Sequence, residues 1–79
     1  MAYTEESVKH VLRDRLYPGK VVEIEEYSIG KHLDYIRIGT RRGVVEQLYP
    51  HIFTVRIGNH LESFRYVQCF ETGKERVRL

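Results

Sequence analysis

At Pro18-Gly19 the spacing of apolar residues changes from helical to alternating, and that break divides what the chain can fold into. Before it, Val8, Val11, Leu12 and Leu16 recur at i, i+3, i+4 and i+8, the stripe of an amphipathic helix. Thr4 is placed to cap this helix, Glu5 and Glu6 suit its positive first turn, and Arg13 and Arg15 suit its negative end. The spacing predicts a helix over about 5–16, stopped by Pro18-Gly19.

From Lys20 onward the period is two, and short β-branched and aromatic segments alternate with Gly-containing turns. Predicted strands fall near 20–27, 33–39, 43–48, 52–57, 63–70 and 75–79, with turns near 28–32, 39–42, 49–51, 58–62 and 71–74. Register follows from requiring that apolar residues of both partners share a face, because a one-residue slip turns every side chain over. On that rule Val22 faces Ile38 and Ile24 faces Ile36, with Glu23 opposite Arg37 and Glu25 opposite Tyr35 outside. Val45 faces Val55 inside, while Glu46 faces Thr54 and Val44 faces Arg56 outside. Ile57 faces Phe64 and Val55 faces Tyr66, which brings Arg56 opposite Arg65 on the outer face.

Strands this few do not make a large sandwich, and a flat sheet leaves open edges, so closure is the economical solution. The expectation is a mainly β domain with one N-terminal α-helix: a small SH3-like barrel of five to six antiparallel strands over about 20–79. The helix, apolar on one side, covers an open end of the barrel or packs in a dimer interface. A chain of 79 residues has room for one core, so residues 1–79 read as a single domain that leans on tight packing or on a partner subunit such as a second copy.

The only cysteine, Cys69, rules out an intrachain disulfide and the clustered-cysteine zinc motifs, and fits a reducing compartment. The first residues, Met-Ala-Tyr-Thr-Glu-Glu, lack a basic region followed by an apolar one, and no apolar run approaches the roughly 18 residues of a membrane helix. A cytoplasmic protein without membrane contact is expected. Thirteen Lys and Arg against eleven Asp and Glu leave a net charge of +2, too small to call for nucleic acid unless the cations gather on one face.

The residues that could carry chemistry are scattered. His10, His32, His51 and His60 lie in the helix and three different turns, without i, i+4 spacing or a neighbouring cysteine, so no metal site is expected. Ser7, Ser28 and Ser63 have no legible base, and the adjacent pairs Glu5/Glu6 and Glu25/Glu26 point their side chains apart. Cys69, among apolar neighbours on a predicted strand, reads as a small buried hydrophobe. The expectation is a non-enzymatic protein with no catalytic residue, metal or cofactor.

Three surface features remain. Gly39-Thr40-Arg41-Arg42-Gly43 is a glycine-bounded basic turn that either presents Arg41 and Arg42 to phosphates or is a plain solvated turn. The outer-face row of Arg37, Arg56 and Arg65, with Tyr35 nearby, calls for an anion, since like charges facing each other repel. Glu23 and Glu46 supply it locally, or a nucleic-acid backbone or an acidic patch on a partner protein does. Pro50 fixes its own φ and pushes Tyr49 to extended geometry, so Tyr49-Pro50-His51 is a stiff turn, either structural or an anchor for a protein contact.

The run Gly43-Val44-Val45-Glu46-Gln47-Leu48-Tyr49-Pro50-His51-Ile52-Phe53-Thr54-Val55 resembles the signature of the Veg family of small Firmicute proteins, Gly-Val-Leu-Glu-x-x-Tyr-Pro-x-x-Phe-x-Val. Val8-Lys9, Gly19-Lys20 and Ser63-Phe64 with Val67 resemble that family's helix, its Gly-Lys lead into the first strand and its Ser-Phe-x-x-Val strand. The chain is longer than the family pattern between Lys20 and Gly43. It has Arg65 where the family has an acid, and Glu71-Thr72-Gly73-Lys74 where the family has Asp-Val-Leu-Thr. The resemblance implies a cytosolic β-barrel without enzymatic activity that stimulates biofilm formation by relieving a transcriptional repressor of matrix genes. It carries over no site beyond the Tyr-Pro hairpin. Two other readings stay open on the residues alone: a nucleic-acid-binding SH3-like or OB-like module using the arginines, and an assembly subunit that oligomerises through its helix and a sheet edge.

Overall fold

Pro18-Gly19 is the hinge between a helix and a sheet in the computed structural model, which describes residues 5–32, 34–70 and 73–79. Helix α1 spans Glu5–Leu12, shorter than expected, because the chain tightens into a turn after it, with Arg15 N and Leu16 N both donating to the Leu12 carbonyl at 2.8 Å. Val8, Leu12 and Leu16 are buried in a stripe of spacing four, whereas Val11, at i+3, is 54% exposed. The expected cap, Thr4, lies outside the described residues. Gly19 then adopts φ +94°, a left-handed conformation that glycine takes without steric cost. This reversal lets Gly19 N donate to the Val45 carbonyl and Val45 N to the Lys20 carbonyl, fastening the start of the sheet to its centre.

Strands β1 (Val21–Ile29), β2 (Tyr35–Leu48), β3 (Ile52–Ile57), β4 (His60–Arg65) and β5 (Glu75–Arg78) form one antiparallel sheet in the order β4-β3-β2-β1-β5. A single turn of 3-10 helix, Tyr66–Cys69, leads out of β4. The sheet curls so far that Arg41 of β2 reaches Glu62 on one edge strand and Glu75 on the other. The two edge strands do not pair, so the fold is barrel-like but not closed. Among the described residues no helix is long and apolar enough to cross a membrane.

Three sequence expectations are corrected. The strands expected at 33–39 and 43–48, with the basic turn between them, are one strand: Gly39–Gly43 lies inside β2. Gly43 is there for packing, since a Cβ would sit 2.5 Å from Val55 Cγ1 and 2.8 Å from the Arg56 carbonyl oxygen. The first hairpin therefore runs in another register: Val22 pairs with Gly43 and Ile24 with Arg41, not with Ile38 and Ile36, while Glu23 faces Arg42 and Glu25 faces Thr40. The third hairpin turns tightly at Gly58-Asn59, with Gly58 at φ +61°. It pairs Phe53 with Phe64 and Ile57 with His60, so Arg56 faces Leu61 and Arg65 faces Ile52. Tyr66, expected to continue that strand opposite Val55, begins the 3-10 turn instead.

The central hairpin keeps its expected pairs, Val45 with Val55 and Val44 with Arg56. Beyond them β2 takes one extra residue at Glu46, so Gln47 rather than Glu46 faces Thr54; a second extra residue falls at Ile38. Each bulge flips the alternation of side chains beyond it. Phe53, packed at 5.9 Å from the Phe64 ring and 5.4 Å from the Tyr66 ring, centres the core on the inner face. Val22, Ile24, Val45, Val55 and Tyr66 are buried there as expected, and α1 closes over them as part of the same core. Ile36 and Ile38, expected inside, are 55% and 65% exposed, because β1 and β2 run on past the core as an arm.

Candidate functional site

The bulge at Ile38 places Tyr35 and Arg37 on the outer face with Thr40, Arg42 and Val44, and turns Arg41 to the inner face. The expected row of Arg37, Arg56 and Arg65 does not form. Arg56 is bidentate to Glu46, at 2.7 Å from Nε and 3.0 Å from Nη2. Arg42 lies 3.8 Å from Glu23, and Arg65 has no carboxylate within ion-pair reach among the described residues.

Arg37 instead joins a cluster around Glu25, the one buried charged residue described. Arg37 Nη1 lies 3.2 Å and Arg78 Nη1 3.6 Å from Glu25 Oε2, while the Tyr27 hydroxyl donates to Oε1 at 3.0 Å. Burial raises the carboxyl pKa, but the Tyr27 hydrogen bond and the two guanidinium groups outweigh it and hold the group below its ordinary value. Sequence reading missed Arg76 and Arg78, which face Glu25 and Glu23 because β5 returns to pair with β1. No local pattern says where a terminal strand will dock. Apart from the Glu46–Arg56 pair at the far end of β2, the outer face of β5, β1 and β2 thus carries Arg37, Arg42, Arg76 and Arg78 around Glu23 and Glu25, four cations to two anions.

On the inner face Arg41 is consumed by structure. Its Nε lies 2.6 Å from Glu26, it forms a bidentate pair with Glu62, and its Nη2 lies 3.1 Å from Glu75. His60 Nε2 meets the same Glu62 at 2.8 Å. Hydrogen bonds from Arg41 first, then from His60, hold the Glu62 carboxyl down at about 2 despite partial burial. This clamp ties β1, β4 and β5 to β2 in place of the expected basic turn, phosphate-facing or plainly solvated; Arg42 alone of that pair stays largely exposed.

The Tyr49-Pro50 turn is both structural and exposed. Tyr49 N donates to the Ile52 carbonyl at 2.8 Å, and the Tyr66 hydroxyl donates to the Tyr49 carbonyl. Lys9 Nζ donates to the Pro50 carbonyl at 3.0 Å and stands 5.4 Å over the Tyr66 ring. Between α1 and this turn opens a groove of about 1150 Å³, with Leu12, Leu16, Leu48 and Tyr66 among its lining and Lys9 and His10 from the helix and Arg13 just past its end beside them. Val11 and Tyr49, 54% and 46% exposed, border it. His51 is exposed at the tip.

His10, His32, His51 and His60 are exposed and apart, and no three His, Cys, Asp or Glu among the described residues gather as metal ligands. Cys69 lies in the 3-10 turn rather than a strand, and burial pushes its thiol up to about 12. Comparison of the chain with family models, curated proteins and solved structures finds no match.

Proposed function

We propose that this chain is a non-enzymatic, cytoplasmic regulator resembling the Veg proteins, which influences transcription by binding another protein, a repressor of matrix genes in the leading case. The observation that carries the reading is the groove beside Tyr49-Pro50. It is floored by apolar side chains, lined on the helix side by Lys9, His10 and Arg13 with Glu6 among them, and closed on the other side by Leu48, Tyr49 and Pro50 of the Veg-like run. Half-exposed Tyr49 supplies contact area at low entropic cost. Binding of the purified chain to purified repressors from biofilm-forming Firmicutes tests it. Tyr49→Ala and Val11→Ser, both at exposed positions, weaken binding about tenfold or more on this reading. Silence toward every repressor, or binding untouched by both substitutions, counts against it.

A second reading is favoured by one observation, the four-to-two excess of arginine over glutamate on the outer face of β5, β1 and β2. A nucleic-acid module of this kind shows affinity that falls with salt, log K dropping by about 0.9 per phosphate contacted for each decade. Arg42→Glu with Arg78→Glu weakens binding and cuts that slope by roughly 2. A duplex or single strand bound equally well by the double variant dismisses this surface.

A further inference from the structure

One edge of the sheet is left open by the fold. β3 pairs with β2 only from Val44 to Leu48, so the stretch Tyr35–Arg42 has a strand on its β1 side alone. Alternate residues of a strand direct their N–H and C=O groups to opposite sides, so about half of the backbone groups in this stretch face no strand. At about 3.3 Å per residue the open edge is roughly 26 Å long. Proteins shorten, charge or cover such edges because they recruit foreign strands. Beside this one stand Tyr35, Ile36 and Ile38, 44%, 55% and 65% exposed.

The side chains select the occupant. From Tyr35 to Val45 the strand carries Arg37, Arg41 and Arg42 and no Asp or Glu. Arg41 is held on the inner face, while Arg37 and Arg42 remain 58% and 75% exposed on the outer one. A second copy would lay arginine strand against arginine strand, which repels. Single-stranded nucleic acid takes its stacking energy from successive aromatic platforms, whereas Tyr35 is the one aromatic on this edge and Ile36 and Ile38 are aliphatic. A strand alternating acidic and aliphatic residues suits both the charge and the apolar surface.

We propose that the open edge of β2, Tyr35–Arg42, accepts an extended acidic and aliphatic segment of a partner protein as an added strand, its carboxylates toward Arg37 and Arg42. This edge is distinct from the groove at Tyr49-Pro50, so either site stands or fails without the other.

The test titrates the isotope-labelled full chain with an octapeptide alternating valine and glutamate, followed by amide chemical shifts. The expected shifts concentrate on Tyr35–Arg42, and hydrogen exchange slows there. Two further peptides, N-methylated at one or the other alternate set of residues, leave charge intact; one of them binds about tenfold or more weakly. Arg37→Glu with Arg42→Glu reverses the preference toward a valine and lysine octapeptide. The proposal is overturned if millimolar peptide shifts nothing, if both N-methylated peptides bind undiminished, or if the shifts map to the groove. It is equally overturned if a thymidine octamer occupies the same amides more tightly than the peptide, or if light scattering shows the chain pairing with itself through this edge.

Discussion

The sheet contains two hairpins that meet at β2 and behave as opposites. The Tyr49-Pro50 hairpin has one face sealed beneath Phe64, Tyr66 and α1, and its turn is tied by Tyr66 and Lys9. The β1–β2 hairpin shares that core only as far as Ile24 and Gly43; past Glu26 and Gly39 it leaves the sheet with Ile29, Ile36 and Ile38 more than half exposed. One is held by burial and the other by its own ladder of hydrogen bonds. An isolated two-stranded ribbon is marginal in water, so the outer hairpin draws its order from its root and has surface to offer.

Cutting into each region separates them most sharply. Phe53→Ala, which empties the centre of the core, costs about 3–5 kcal/mol in denaturant titration. Ile36→Ala in the arm costs less than about 0.5 kcal/mol. Comparable losses at both sites would erase the distinction.

Next in size are two glycines of the same strand. Gly43→Ala forces a methyl group against Val55 and the Arg56 carbonyl, a loss of about 1–3 kcal/mol. Gly39→Ala meets only the Glu26 carboxylate oxygen, at 3.9 Å, and is neutral or stabilising by about 0.5 kcal/mol.

The clamp joining the two regions gives a smaller effect. Arg41→Met leaves Glu26, Glu62 and Glu75 without their shared cation and costs about 1–2 kcal/mol at low salt, after allowance for the partial exposure of the group. The cost shrinks as salt screens the carboxylates from one another.

The smallest effect is in the pH profile. The Glu62 carboxyl is held at about 2, below the ordinary 4.5, so between those values the unfolded chain binds more protons than the folded one. This contribution is complete above about pH 4.5 and is lost as pH falls toward about 2. Arg41→Met flattens the acid limb; an unchanged limb would mean that Glu62 is not held by Arg41.

The same contrast explains what the sequence made legible. The Val45–Val55 register could be read because both strands bury one face and Pro50 stiffens the turn, leaving a slip no apolar solution. In the first hairpin Ile36 and Ile38 imitate a buried face while serving an exposed one, and alternation cannot tell the two uses apart. The third hairpin slipped because β4 buries only Phe64 among its apolar residues, Leu61 being exposed, and the tight Gly58-Asn59 turn, not the pattern, decides its partner. Glycine misled in the other direction: Gly39 and Gly43 read as turn residues, yet Gly43 serves the close approach of β3. The site followed suit. The Tyr49-Pro50 turn was visible from its own residues, while Arg76 and Arg78 acquired meaning only when β5 docked on β1.

Native-state hydrogen exchange tests the division between a buried hairpin and a protruding one most directly. Amides of Phe53, Val55 and Phe64 that bond within the sheet should exchange only through global unfolding. Those amides of Ser28, Ile29 and Tyr35–Arg37 that bond across the arm should exchange on the order of a hundredfold faster or more; the Tyr27 amide, which donates to the Lys74 carbonyl, is not among them. Uniform protection through both hairpins would contradict the account, since the arm would then share the stability of the core it has left.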